Sequence, residues 1–297
     1  MGLDDLITEA RSAETRDLDL RSTGELVELM SRQDAAVPAA VASQAAVIAA
    51  AVEAVVERMQ AGGRLVYVGA GTSGRLAEVD AYECESTFSA EPGQVVALVA
   101  GAGALSRLER EVAEDDADGG RRDVNSLSIG ATDAVVGISA SGRTPCVLGA
   151  VEAAAAAGAL TIALVSAPDS ELGAIVEREI AVVVGPELLA GSTRLKAGTA
   201  QKLVLNMLPT IAMVRLGKTY DNLMVDVCAS NEKLRARVQR TVMTATGVPR
   251  ERVDGALAAA DGSAKVAIVM LLAGVEAPAA RERIAAADGN IRLAVAP

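Results

Sequence analysis

The run Leu65-Val-Tyr-Val-Gly-Ala-Gly-Thr-Ser-Gly-Arg75 decides how the rest of the chain is read. Apolar, β-favouring residues followed at once by GxGxxG predict a buried strand that turns directly into a helix, with backbone N–H groups bared at the turn. Four more short β-branched runs follow at 95–99, 134–138, 161–165 and 180–184, separated by Gly, Ser or Pro signals and by helical segments. Strands alternating with helices in this way predict an α/β fold, a five-stranded parallel sheet flanked by helices, with ligands beyond the carboxyl ends of the strands.

On the N-terminal side, residues 1–62 read as helices, with Ser22 and Thr23 as caps and a long Ala-rich helix ending at Gly62-Gly63. On the other side, 196–216 reads as a helix kinked at Pro209, with Leu203, Met207, Ile211 and Val214 on one face. The remainder is helical and carries a weak repeat: Arg250-Glu-Arg-Val253 and Ala258-Ala-Ala-Asp-Gly262 return as Arg281-Glu-Arg-Ile284 and Ala285-Ala-Ala-Asp-Gly289. The expected division is an N-terminal helical segment (1–54), a sheet domain (55–217) and a C-terminal helical region (218–297).

Composition narrows the chemistry. With 297 residues and 51% hydrophobic content the chain can bury a full core. A formal charge of -11 argues against affinity for nucleic acid or an anionic membrane, and one Phe, three Tyr and no Trp leave little for bases to stack on. The longest uncharged stretch, 35–52, is too weakly apolar to span a bilayer and reads as a buried helix. The acidic N-terminus lacks the basic and then apolar pattern of a secretory signal, and Cys84, Cys146 and Cys228 are scattered, so a reducing, cytoplasmic setting is expected. There is no histidine, so acid–base work must fall to carboxylates, Lys, Tyr or Cys, and no metal is expected.

A dinucleotide reading of GxGxxG also needs a carboxylate near the end of the second strand, and Val99-Ala-Gly-Ala102 has none. A second hydroxyl-rich loop, Ser139-Ala-Ser-Gly-Arg-Thr144, follows the third strand. Two such loops at neighbouring strand ends suit a phosphate, whose oxygens short hydroxyls and helix-start N–H groups can surround; one Ser would suffice for helix capping alone. A third cluster, from Gly191 to Lys202, opens the last helix of the sheet domain with Lys196 and Lys202. A lysine at a helix N-terminus opposes the macrodipole, a conflict that an anionic ligand would relieve.

These loops resemble those of sugar isomerase (SIS) domains. The segments 67–84, 196–208 and 222–234, the last reading Asn-Leu-Met-Val-Asp-Val-Cys-Ala-Ser-Asn-Glu-Lys-Leu, are similar, more closely, to the N-acetylmuramic acid 6-phosphate etherase family. That resemblance covers nearly the whole chain. It implies a homodimer with sites near the subunit interface, no cofactor, and hydrolytic removal of the D-lactyl ether of N-acetylmuramic acid 6-phosphate in cell-wall recycling. It also implies phosphate contacts from Thr72, Ser73, Ser139, Ser141 and Thr144, and two catalytic carboxylates, Glu83 and Glu114. Sequence physics alone does not choose these two from the acidic clusters at 78–85 and 109–116. A carboxylate acting as an acid near neutrality must be shielded, so Glu83 is expected to be buried. Arg75, Arg143, Lys196 and Lys202 are left without roles. The rival readings are an aldose–ketose phosphosugar isomerase and, because the glucokinase regulatory protein resembles these etherases, a non-catalytic sugar-phosphate sensor.

Overall fold

Strand β1 (Leu65–Gly69) is buried along its whole length, as a central parallel strand must be. The computed structural model describes residues 7–227 and 232–296; Cys228 and positions 228–231 of the family-like 222–234 segment lie outside the described residues. The strands β2 (Val95–Val99), β3 (Ala134–Ile138), β4 (Leu160–Val165) and β5 (Arg178–Ala181) complete a five-stranded sheet in the order β2-β1-β3-β4-β5. Every pair is parallel, with Leu65 opposite both Val95 and Ala134, and Gly69 opposite Val99 and Ile138. The expected α/β sheet is therefore present. Its order has a consequence for ligands: the chain leaves β1 toward β2, then crosses back to β3 on the other side. The switch point falls between β1 and β3, where open parallel sheets bind ligands.

The fifth strand is the main departure. It covers 178–181 and not 180–184, because its register is set by pairing Arg178 with Ile162 and Ala181 with Val165. At a sheet edge one side faces solvent, so Arg178 and Glu179 are tolerated, and the apolar run 180–184 continues past the ladder. The uncharged stretch 35–52 is likewise divided, between α2 (Val37–Ala42) and α3 (Ala45–Gln60), after α1 (Thr23–Asp34). Ser22 caps α1 through a reciprocal bond pair with Glu25, as read. No single helix among the described residues is long and apolar enough to cross a membrane; two bent helix pairs meet the length and composition test only together.

The chain divides into two compact units, Met1–Ala81 with Gly93–Pro209, and Tyr82–Pro92 with Thr210–Pro297. In the first, one face of the sheet (Val66, Val68, Val135, Ala163, Val165) packs on α7 (Pro145–Ala156) through Val147, Ala150, Val151 and Ala154, with Val124 of α6 (Ala117–Ser126) and Leu172 of α8 (Glu171–Ala174). On the other face α3 covers β4 and β5. Two helices, α4 (Gly71–Phe88) and α9 (Lys196–Arg215), contribute to both units, and α9 runs on through Pro209.

The second unit adds a short hairpin, β6 (Thr219–Tyr220) and β7 (Leu223–Met224), and the helices α10 (Glu232–Thr246), α11 (Arg250–Ala259), α12 (Ala264–Ala273), α13 (Ala277–Ala286) and α14 (Ile291–Ala294). Val242, Val253, Ala267, Ile268 and Ile291 form its core. The sequence repeat is real in backbone terms. Asp261-Gly262 and Asp288-Gly289 both adopt positive φ after a helix, and Arg281 of the second copy reaches Asp261 of the first at 2.7 Å.

Candidate active site

The first loop is shaped by two glycines that no other residue could replace without movement. A Cβ on Gly69 would lie 2.8 Å from the Gly74 nitrogen, and one on Gly74 would lie 2.7 Å from both the Gly69 carbonyl and Val99 Cγ1. The strand therefore runs into α4 through Ala70 alone, and the first-turn N–H groups of Thr72 and Ser73 have no carbonyl behind them within the helix. Ser73 Oγ donates to Oε1 of Gln201 on α9 at 2.9 Å. Two turns along α4, buried Asp80 accepts from the hydroxyl of fully buried Tyr67 at 3.1 Å and meets Lys202 Nζ at 3.3 Å. Residues 198, 201 and 202 of α9 thus lie along the face of α4 that bears Thr72, Ser73 and Asp80, with Gly198 close to the Thr72 methyl.

The second loop closes on itself. Buried Ser139 Oγ accepts from Gly142 N at 3.0 Å, pairs with Thr144 Oγ1 at 2.8 Å and lies 3.4 Å from Ser141 Oγ, which in turn accepts from Arg143 N at 3.3 Å. Gly142 has φ +66°, and a Cβ there would collide with the Ser170 side chain. Thr144 is the residue before α7, yet its side chain makes no capping bond. Its hydroxyl faces Ser139 instead, so helix capping does not account for this cluster. Arg143 braces the loop against Glu171 at 2.9 Å.

The third cluster has a different explanation from the one its lysines suggested. Buried Glu187 accepts from the backbone N–H of Lys196 at 3.0 Å and of Ala197 at 2.9 Å, and Lys196 Nζ donates to the Val184 carbonyl at 2.9 Å. The chain's own carboxylate balances the α9 N-terminus, and the Val184 carbonyl takes the lysine ammonium. No bound anion is needed to relieve that conflict.

The two carboxylates stand in unlike surroundings. Glu114, on α5 (Arg107–Asp115), is half-buried and shares a cavity of about 250 Å³ with Gly71, Arg75, Glu78 and the residues after β2. Burial raises its carboxyl above the ordinary value, and the neighbouring charges of Asp115 and Glu111 push the same way. Glu114 is therefore at the mouth of the first loop. Glu83 is exposed on this chain, contrary to the expected shielding: α4 buries Ala77, Asp80, Ala81, Cys84 and Phe88, and Glu83 lies beside that stripe and outside it. The thiol of Cys146, buried at the start of α7, is pushed up to about 12 by desolvation and by Glu114, which leaves it no nucleophilic role.

Comparison with known proteins identifies the family. The chain is 58% identical over 293 residues, 99% of its length and 97% of the relative's, to an N-acetylmuramic acid 6-phosphate etherase of Rubrobacter xylanophilus. It is 54% identical over 294 residues, 99% and 94% of the two lengths, to one of Streptomyces avermitilis. The chain belongs to the N-acetylmuramic acid 6-phosphate etherase family. Residues 47–155 also match the family model of the glucokinase regulatory protein N-terminal SIS domain. A solved phosphoheptose isomerase from Neisseria gonorrhoeae shares the fold, with TM-score 0.51 and 19% identity over 64% of this chain and 98% of that one.

Within this etherase-family chain the sequence reading missed Gln201, Tyr67 and Glu187. Ser73 and Gln201 are 128 positions apart, a pairing that only the fold reveals. Glu187 carried one usable signal: it is a lone acid in the apolar run Pro186-Glu-Leu-Leu189, and a carboxylate buried there needs donors.

Proposed function

We propose that this protein cleaves the D-lactyl ether of N-acetylmuramic acid 6-phosphate with water, releasing D-lactate and N-acetylglucosamine 6-phosphate, as a carbon–oxygen lyase acting by elimination and hydration. The observation that carries this reading is identity of 58% along 99% of the chain to an etherase, joined to two hydroxyl loops at the β1/β3 switch point.

The chemistry follows from the open-chain sugar. Its carbonyl acidifies the proton on carbon 2, and the ether oxygen on carbon 3 is β to that carbonyl. A base takes the carbon 2 proton, the bond between carbon 3 and the ether oxygen breaks, and an acid protonates the departing lactate. Water then adds to carbon 3 of the unsaturated aldehyde and carbon 2 regains a proton, so the sum is one water consumed. We assign the proton transfers to Glu83 and Glu114. A carboxyl whose proton affinity is raised by burial, as at Glu114, is suited to take and return a proton near neutrality. Thr72 and Ser73 at the start of α4, with Ser139, Ser141 and Thr144, would hold the phosphate. The proposed working form is a cytoplasmic homodimer; a second copy would supply the shielding that Glu83 lacks here.

The test is incubation with N-acetylmuramic acid 6-phosphate in isotopically labelled water while D-lactate is assayed. Label at carbon 3 of the sugar, and loss of about a thousandfold or more in rate in Glu83→Ala and Glu114→Gln, are expected. An isomerised sugar with no lactate released would make the protein an aldose–ketose isomerase instead.

A further inference from the structure

Gln201 carries a buried polar atom that the chain does not satisfy. The residue is 2% exposed, its Oε1 accepts from Ser73 Oγ at 2.9 Å, and its Nε2 has no hydrogen-bond partner. Two amide protons left without acceptors in the interior are costly, about 1–3 kcal/mol for an unpaired buried donor. Turning the amide over would not help. Nε2 would then meet the Ser73 oxygen, but Oε1 would be stranded in its place, because one hydroxyl cannot serve both ends of an amide. The deficit is built into the site.

Its position says what would fill it. Gln201 touches the residue in the first turn of α4, where unpaired N–H groups and the positive end of the helix dipole favour a negative acceptor. Ser73, meanwhile, has already spent its hydroxyl proton on Gln201, so its side chain is not free to donate to an anion. Lys202, the next residue, points its charge to Asp80 and not to this spot.

We infer that Gln201 is a direct ligand of the substrate's phosphate, with Nε2 donating to a phosphate oxygen while Oε1 fixes the Ser73 side chain. This rests on the phosphosugar reading above and adds to it a donor from α9. Ser73 then contributes mainly its backbone N–H, and the glutamine amide takes the place expected for the serine hydroxyl. A neutral donor here also suits a group that must release a phosphorylated product, since an added cation would tighten substrate and product alike.

The full-length protein can be tested with inorganic phosphate as the probe, read by thermal melting. Gln201→Met removes the unpaired amide, so without phosphate it should melt no lower than the parent. Its phosphate affinity should fall about tenfold or more, the loss expected for a hydrogen bond to a charged group. Gln201→Glu, which can still accept from Ser73 but has no proton to give, should show the same loss. In turnover both should raise KM with little change in kcat. As a check independent of any variant's folding, the side-chain amide resonances of Gln201 in selectively labelled parent protein should shift and gain exchange protection when phosphate is added. Variants that melt lower but bind phosphate as the parent does, or amide resonances that ignore phosphate while the parent is stabilised by it, would overturn the inference and leave the phosphate pocket standing. A parent that phosphate does not stabilise at all would overturn both.

Discussion

The two hydroxyl loops sit side by side at the ends of β1 and β3, yet they are built on opposite plans. The loop after β3 is self-contained in its hydroxyls, since its three hydroxyls and two backbone N–H groups bond to one another within six residues, and its outside ties, Arg143 to Glu171 and the Gly142 carbonyl to Leu172 N, go to the adjoining α8. The loop after β1 is dependent, because its serine is held by a residue of α9 and its neighbouring cavity is completed by α5. A self-contained loop is a fixed cradle. A dependent one connects whatever it binds to distant parts of the chain, and it is beside this loop that both the unpaired amide and Glu114 are found.

The sharpest way to break the contrast is at the glycines. Gly142→Ala should cost about 3 kcal/mol, since a left-handed backbone and a collision with Ser170 add together. Gly71→Ala, also at positive φ but with open space around it, should cost only about 1 kcal/mol. Urea denaturation of the two variants measures the difference, and equal costs would mean that the second loop is not the stiffer one. Next in size is Ser139→Ala, which removes the hydroxyl shared by the Gly142 N–H and Thr144 while the Gly142 N–H keeps the Ser139 carbonyl at 3.1 Å, and should cost about 1 kcal/mol. If it does not lower the urea midpoint, the hydroxyl network is not holding the loop.

The smallest effect sharpens the other side of the comparison. Glu114 binds its proton more tightly in the fold than in the unfolded chain, where a glutamate titrates near 4.5. Its contribution to stability is therefore complete below that pH and is lost as pH rises through the raised folded-state value. Glu114→Gln should melt higher than the parent near neutrality, and the gap should close below about pH 4. A gap that stays constant with pH would show that Glu114 is no more burdened than an exposed acid.

Most of the sheet could be read from the sequence because central parallel strands are continuous apolar runs, and β1 and β3 fall where those runs fall, as does the apolar edge strand β2. The other edge strand, β5, was misplaced because Arg178 is allowed by exposure and half-buried Glu179 by the bond it accepts from Ser170, not by pattern. Of the site, both loops were legible as motifs, since glycines and hydroxyls cluster in sequence as they do in space. What joins them to the rest was not. Ser73 meets Gln201, Tyr67 meets Asp80, and Lys202 reaches back to the same Asp80, contacts fixed by packing between helices. Glu83 shows the converse limit, for a role implied by resemblance says nothing about exposure on one chain.

Three segments of this chain offer glycines, hydroxyls and a helix start, and in one of them the berth is already taken by the internal carboxylate of Glu187, locked to Lys196 and Ala197. Such a plug acts as subtraction: under the proposed function it would leave the starts of α4 and α7 as the moorings, with a visiting dianion steered by what the protein has closed as much as by what it presents.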